Sequence, residues 1–166
     1  MMEVSTTVRI TVNGSRSFEG DAGLPLLASL RRGGIYIPAG CGGRGACGLC
    51  KVKVAGGLDT PLAPSEKYWL KDLPAGFRLA CLVKVDKDMS LDLPDSVFAT
   101  RQLETVVTSI RDLTYDIKEV CLHLQNDAEI AFRPGQYIQM KVPGLAEVEE
   151  PLYRSFSIAS DCLDRR

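Results

Sequence analysis

Four cysteines with the right company for metal chemistry stand out in this sequence. Cys41, Cys47 and Cys50 are spaced C-x5-C-x2-C, and Cys81 follows thirty residues later in Arg78-Leu79-Ala80-Cys81. Gly42, Gly43, Gly45 and Gly48 are interleaved with the first three. Glycine takes positive φ freely, so this loop can turn several backbone N–H groups toward one point. That is what a cluster of two irons and bridging sulfides requires: four thiolates, two per iron, and amides to stabilise the charge on sulfur. Zinc held by four cysteines normally comes as two C-x2-C knuckles, and here only Cys47 and Cys50 form one. An even count of six cysteines would suit a disulfide framework in a small secreted protein. With no secretory leader expected and three cysteines crowded among glycines, the spacing favours a [2Fe-2S] cluster over zinc or disulfides.

Composition narrows the class. The chain has 166 residues, 45% apolar and 25% charged, enough for one large or two small domains with a real core. A formal charge of −1 with scattered lysines and arginines speaks against nucleic acid as a partner. The densest apolar stretch, Leu24–Leu30, is broken by Pro25 and is far shorter than the ~20 residues that cross a bilayer, so no membrane span is expected. The opening MMEVSTTVRI carries Glu3 and no apolar core, unlike a secretory signal. A cytoplasmic protein, at most peripheral to a membrane complex, is the expectation.

The elements that position the cysteines follow from periodicity. Thr7–Val12 alternates, Asn13-Gly14 supplies a turn, and Ser15–Gly20 returns as a second strand. Leu24, Leu27, Ala28 and Leu30 recur at helical spacing before the stop signal Gly33-Gly34. Lys51–Ala55 reads as a short strand, Pro64–Leu70 as a brief helix, and Leu82–Val85 and Met89–Leu93 as two further strands. The texture then changes. Gln102–Ile110, Ile117–Leu124, Tyr137–Val142 and Tyr153–Ala159 are β-branched or alternating segments between glycine and proline turns. The predicted boundary lies near residue 98, giving domains 1–98 and 99–166. Glu147, Glu149 and Glu150 read as a solvated loop. Cys121 and His123 share a strand face, but two ligands rarely suffice for a metal, and an ordinary surface pair is the simpler reading.

Ile37-Pro-Ala-Gly-Cys41-Gly-Gly-Arg-Gly-Ala-Cys47-Gly-Leu-Cys50, with Arg78-Leu-Ala-Cys81 downstream, resembles a plant-type [2Fe-2S] ferredoxin domain over roughly residues 3–95. The resemblance implies an α+β β-grasp fold with three cysteines on one exposed loop and the fourth arriving from another segment. Five residues separate Cys41 from Cys47 where the simplest plant-type pattern has four. That longer loop is similar to the adrenodoxin-like branch and to the ferredoxin domain in the F subunit of the sodium-translocating NADH:quinone reductases.

In the second half, Phe132-Arg-Pro-Gly-Gln136-Tyr137 precedes Tyr153-Arg154-Ser155-Phe156-Ser157. Together they resemble the FAD-binding barrel of the ferredoxin reductase superfamily, whose R-x-[YF]-S motif Arg154 to Ser157 matches. The resemblance implies that Arg154 grips the pyrophosphate, Phe156 lies on the isoalloxazine face and Ser157 bonds flavin N5. The alternative is a surface arginine and a core phenylalanine on an amphipathic strand. Four strand candidates make an incomplete antiparallel β-barrel with unpaired edges, so a truncation or a completing partner chain is expected. No G-x-G-x-x-G follows a strand, so no nicotinamide site is expected within these residues. The expectation is electron transfer through the cluster as part of an NAD(P)H/FAD-linked iron-sulfur flavoprotein reductase, like those quinone reductases or the reductases of aromatic oxygenases, working with a redox partner protein or in a hetero-oligomer. The alternative is a non-enzymatic ferredoxin-type carrier whose C-terminal part docks it in a larger complex.

Overall fold

In the computed structural model, which describes residues 7–56, 58, 60–142 and 152–161, the opening hairpin forms as its alternation predicts. Val8, Ile10 and Val12 of β1 (Thr7–Val12) are buried while Thr7 and Arg9 face solvent. Asn13 and Gly14 both take left-handed φ, of 51° and 64°, and return the chain as β2 (Arg16–Asp21). Helix α1 (Leu26–Arg32) follows and buries Leu26, Leu27 and Leu30. It stops where Gly33 donates to Ser29 O at 2.9 Å and packs so closely on the Phe18 ring that a Cβ would collide with it. Beyond the cysteine loop come β3 (Lys51–Val54), α2 (Pro64–Trp69), β4 (Phe77–Leu79), β5 (Met89–Asp92) and a 3-10 turn at Asp95–Ala99.

These strands make one sheet in the order β2-β1-β5-β3-β4, with β1 parallel to β5 and the other neighbours antiparallel. A mixed five-stranded sheet gripping a helix is the expected β-grasp. Its core is one continuous apolar cluster from Val8 to Leu93. Two local expectations need correction. Leu82–Val85 is not a sheet strand: Gly23 N donates to Val85 O (2.6 Å), Leu26 N to Val83 O (2.7 Å) and Val85 N to Leu24 O (2.9 Å), so the segment pairs with the lead-in to α1. That pairing stays a single bridge, Lys84 to Pro25, because proline has no N–H to extend it. The strand that flanks β3 on the side away from β5 is β4, only three residues long and too short to show alternation.

By packing, the chain divides into two units. One holds the described residues up to Thr100 together with those of Gln139–Phe156; the other holds those of Arg101–Ile138 and from Ser157 onward. Within the second, β6 (Thr105–Asp112) and β7 (Lys118–Leu124) form an antiparallel hairpin with a bulge between Val107 and Ser109. Val106 and Ile110 are half exposed or more, at 50% and 63%, so this hairpin carries an uncovered apolar face. β8 (Tyr137–Val142) and β9 (Leu152–Ser157) make a separate two-stranded sheet. Among the described residues neither sheet closes, as expected of an incomplete barrel. The acidic run at Glu147–Glu150 and Cys162 lie outside the described residues.

Candidate metal centre

The approach to the loop is fixed by alternation: Ile35, Ile37 and Ala39 are buried, so the chain leaves the core at Gly40 and enters Cys41. From there the backbone winds through four left-handed glycines, Gly42, Gly43, Gly45 and Gly48, with φ between 64° and 94°. Two are closed in from outside. Leu82 covers Gly45, and Trp69 lies on Gly48 so tightly that a Cβ would strike its ring. The loop is braced by Arg44 Nε donating to Cys41 O at 2.9 Å and Gly42 N donating to Ala39 O at 2.9 Å.

Cys50 immediately precedes β3 and is buried, and its carbonyl accepts from Ala80 N at 2.9 Å. Leu27 N of α1 donates to Ala80 O at 2.9 Å, so Cys81 is held between helix and sheet. The sulfurs of Cys50 and Cys81 lie 3.4 Å apart. Cys41 and Cys47 form a second thiol pair through a side-chain hydrogen bond. The four cysteines picked out in sequence are thus placed as two thiol pairs. Among the described residues no group of three or more His, Cys, Asp or Glu side chains is gathered closely enough to hold a metal ion. Two thiol pairs are the donor set that two irons would take.

The thiols are tuned unequally. Burial works to raise Cys41, but hydrogen bonds from the backbone N–H groups of Ala46, Cys47 and Arg44 outweigh it and hold the pKa down at about 6. The Cys81 thiol brings Cys50 down to about 7, and Cys50 in turn pushes Cys81 strongly upward. Amides aimed at sulfur are the feature expected of a cluster cradle.

Sequence reading misses the brace behind Cys81. Glu66 of α2 is fully buried, and its carboxylate accepts from Arg78 Nε (2.9 Å) and Nη2 (3.0 Å), Leu79 N (2.9 Å) and Ala63 N (3.0 Å). Arg78 Nη1 also donates to Thr60 O and Oγ1 at 3.1 and 3.0 Å. Pro64 at the helix start with Glu66 two residues on is a legible N-terminal pattern. Its partnership with Arg78 is not.

Of the proposed flavin residues, Arg154 donates to Tyr153 O at 3.0 Å and lies against Gly42, while Phe156 is 49% exposed. Ser157 ends β9 and is exposed. Cys121 and His123 are both exposed on β7.

Comparison with known proteins agrees with this geometry. A family model described as "2Fe-2S iron-sulfur cluster binding domain" matches residues 10–86. Similar curated proteins include the F subunit of the Na(+)-translocating NADH-quinone reductase of Marinomonas sp. (strain MWYL1), 35% identical over 137 residues, which cover 82% of this chain and 34% of that protein. Its counterpart in Neisseria meningitidis serogroup C / serotype 2a (strain FAM18) is 33% identical over 183 residues, 92% of this chain and 44% of the relative. Among solved structures, the cytochrome P450 reductase GcoB of Amycolatopsis superposes with a TM-score of 0.55 at 29% identity, over 96% of this chain and 47% of that one. The ferredoxin reductase of carbazole 1,9a-dioxygenase in its FAD apo form shares the fold, with a TM-score of 0.50 at 24% identity over 96% and 49% of the two chains. The chain spans less than half the length of each of these relatives. Among the described residues no helix is long and apolar enough to cross a membrane. Residues 10–86 thus match the 2Fe-2S iron-sulfur cluster binding domain, and the chain shares its fold with part of these larger reductases.

Proposed function

We propose that this chain passes single electrons through a [2Fe-2S] cluster held by Cys41, Cys47, Cys50 and Cys81, as part of an NAD(P)H- and FAD-linked iron-sulfur flavoprotein reductase. The observation that carries the reading is the pairing of the four thiols in a cradle of left-handed glycines. The cluster, when bound, supplies a one-electron store. The chain's own residues prepare its seat. Cys41 is held as thiolate at neutral pH by the loop amides, and Cys50 is held near its midpoint. The Cys81 thiol, raised by its neighbour Cys50, would lose its proton on serving as a ligand. Leu82 and Trp69 screen the loop from water while it stays near the surface, where a partner protein can reach it.

Arg154, Phe156 and Ser157 are proposed to contribute to a flavin site, with the ferredoxin module ending near residue 98. A flavin splits a two-electron hydride into single electrons, which is why the two cofactors occur together. The likeness to a component of the NADH-quinone reductases supports a redox partner or completing chain in a complex to which this chain is peripheral. Anaerobic reconstitution with iron and sulfide, followed by incubation with FAD and gel filtration, tests the reading. About two irons and two sulfides per chain, with retained flavin, are expected. Iron and sulfide without flavin would leave only the carrier role, and bound zinc without sulfide would contradict the cluster.

A further inference from the structure

Strand β9 runs along the loop that carries Cys41. The Arg31 guanidinium, in the last turn of α1, lies 3.9 Å from the centroid of the Tyr153 ring. Its Nη2 donates to Gln139 Oε1 of β8 at 3.5 Å, and Gln139 Nε2 donates to Ile37 O at 3.4 Å, on the approach to the loop. The seam continues along β9. Arg154 and the Tyr153 carbonyl lie so close to Gly42 that a Cβ there would displace the Arg154 guanidinium and crowd the carbonyl. The Ser155 hydroxyl is buried toward Gly40 with no hydrogen-bond partner among the described residues. Arg31 is half-buried. A single cation therefore holds the strand of the flavin motif, which itself lies against Gly42 beside Cys41.

We propose that Arg31 is a positioning residue that fastens β9 to the loop carrying Cys41, so that the redox properties of a cluster held there depend on whether β9 is seated. This rests on the cluster and flavin reading above. With β9 seated, Tyr153 holds the guanidinium in a half-buried place where its charge is poorly screened and favours the added negative charge of reduction. Removing the ring lets the guanidinium swing into water, where its influence fades. Both changes lower the reduction potential by the same route, so their effects do not add.

Two measurements on the full chain test this. The first is amide hydrogen exchange, which reads the seam without either cofactor. Arg31→Ala should speed exchange at Tyr153–Ser155 and Ile37–Gly40, Tyr153→Leu should do the same, and Arg31→Lys should retain most of the protection. Arg32→Ala, one residue along the helix and paired with Asp21, should leave both segments unchanged. The second is the midpoint potential of the reconstituted cluster. Arg31→Ala should disfavour reduction about tenfold, roughly 59 mV for one electron. Tyr153→Leu should shift it in the same direction, and the double variant should fall no further than Arg31→Ala alone. Unchanged exchange at Tyr153–Ser155 in Arg31→Ala, or shifts that sum in the double variant, would overturn the proposal. Because exchange needs neither iron nor flavin, a failed seam and a failed cofactor reading are told apart.

Discussion

Replacing Glu66 by glutamine perturbs the brace behind Cys81 with almost no change in volume. The carboxylate is fully buried and accepts four hydrogen bonds, two from the Arg78 guanidinium and two from the backbone at Ala63 and Leu79. An amide keeps one acceptor oxygen and turns an NH2 toward the remaining donors, and Arg78, itself 6% exposed, loses its counter-charge. Breaking a buried ion pair from one side costs about 3–5 kcal/mol. Against a typical total of roughly 5–15 kcal/mol, that should lower Tm by ~12 °C or more. Thermal unfolding followed in the far-ultraviolet, with visible dichroism reporting the cluster, measures it. The pH dependence gives a second handle. Burial alone would raise Glu66, but Arg78 and the two backbone amides hold it below its ordinary value. Its contribution is therefore complete above the unfolded carboxyl pKa near 4.3 and is lost as pH falls through the lower folded value. Glu66→Gln should lack this part of the acid sensitivity. A Tm within 2–3 °C of the parent, about the effect of 0.5 kcal/mol, would show that the network does not brace the ligand segment.

Other outcomes follow from the same geometry. Cys81→Ser should weaken or shift the cluster, whereas Cys121→Ser, on the exposed strand β7, and Cys162→Ser should leave iron content unchanged. Gly48→Ala should impair cluster assembly, because its φ of 64° costs a Cβ-bearing residue about 1–2 kcal/mol and the Trp69 ring leaves no room. In the metal-free chain, pH-dependent alkylation read by mass spectrometry should modify Cys41 first, as pH rises through about 6. Cys81 should resist until the chain is unfolded.

The cysteine loop was readable in sequence because its chemistry is local: spacing fixes which thiols are near, and the interleaved glycines announce the left-handed turns that Gly42, Gly43, Gly45 and Gly48 adopt. The β1–β2 hairpin and α1 were readable for the same reason, since alternation and the glycine stop are short-range signals. What stayed hidden depends on distant partners. The Glu66–Arg78 brace joins residues twelve apart through a buried contact that no periodicity encodes. Leu82–Val85 looked like a strand because its side chains suit one, but its hydrogen bonds go to the segment around Pro25. The seam between Arg31 and Tyr153 spans more than a hundred residues, and only folding reveals it.

Reductive titration of the reconstituted chain, with iron and acid-labile sulfide counted on the same sample, bears most directly on the central claim. Two thiol pairs holding two irons predict uptake of about one electron per chain for about two irons and two sulfides, with uptake impaired in Cys81→Ser. A chain that binds metal through the same four cysteines, contains no sulfide and takes up no electron would contradict it.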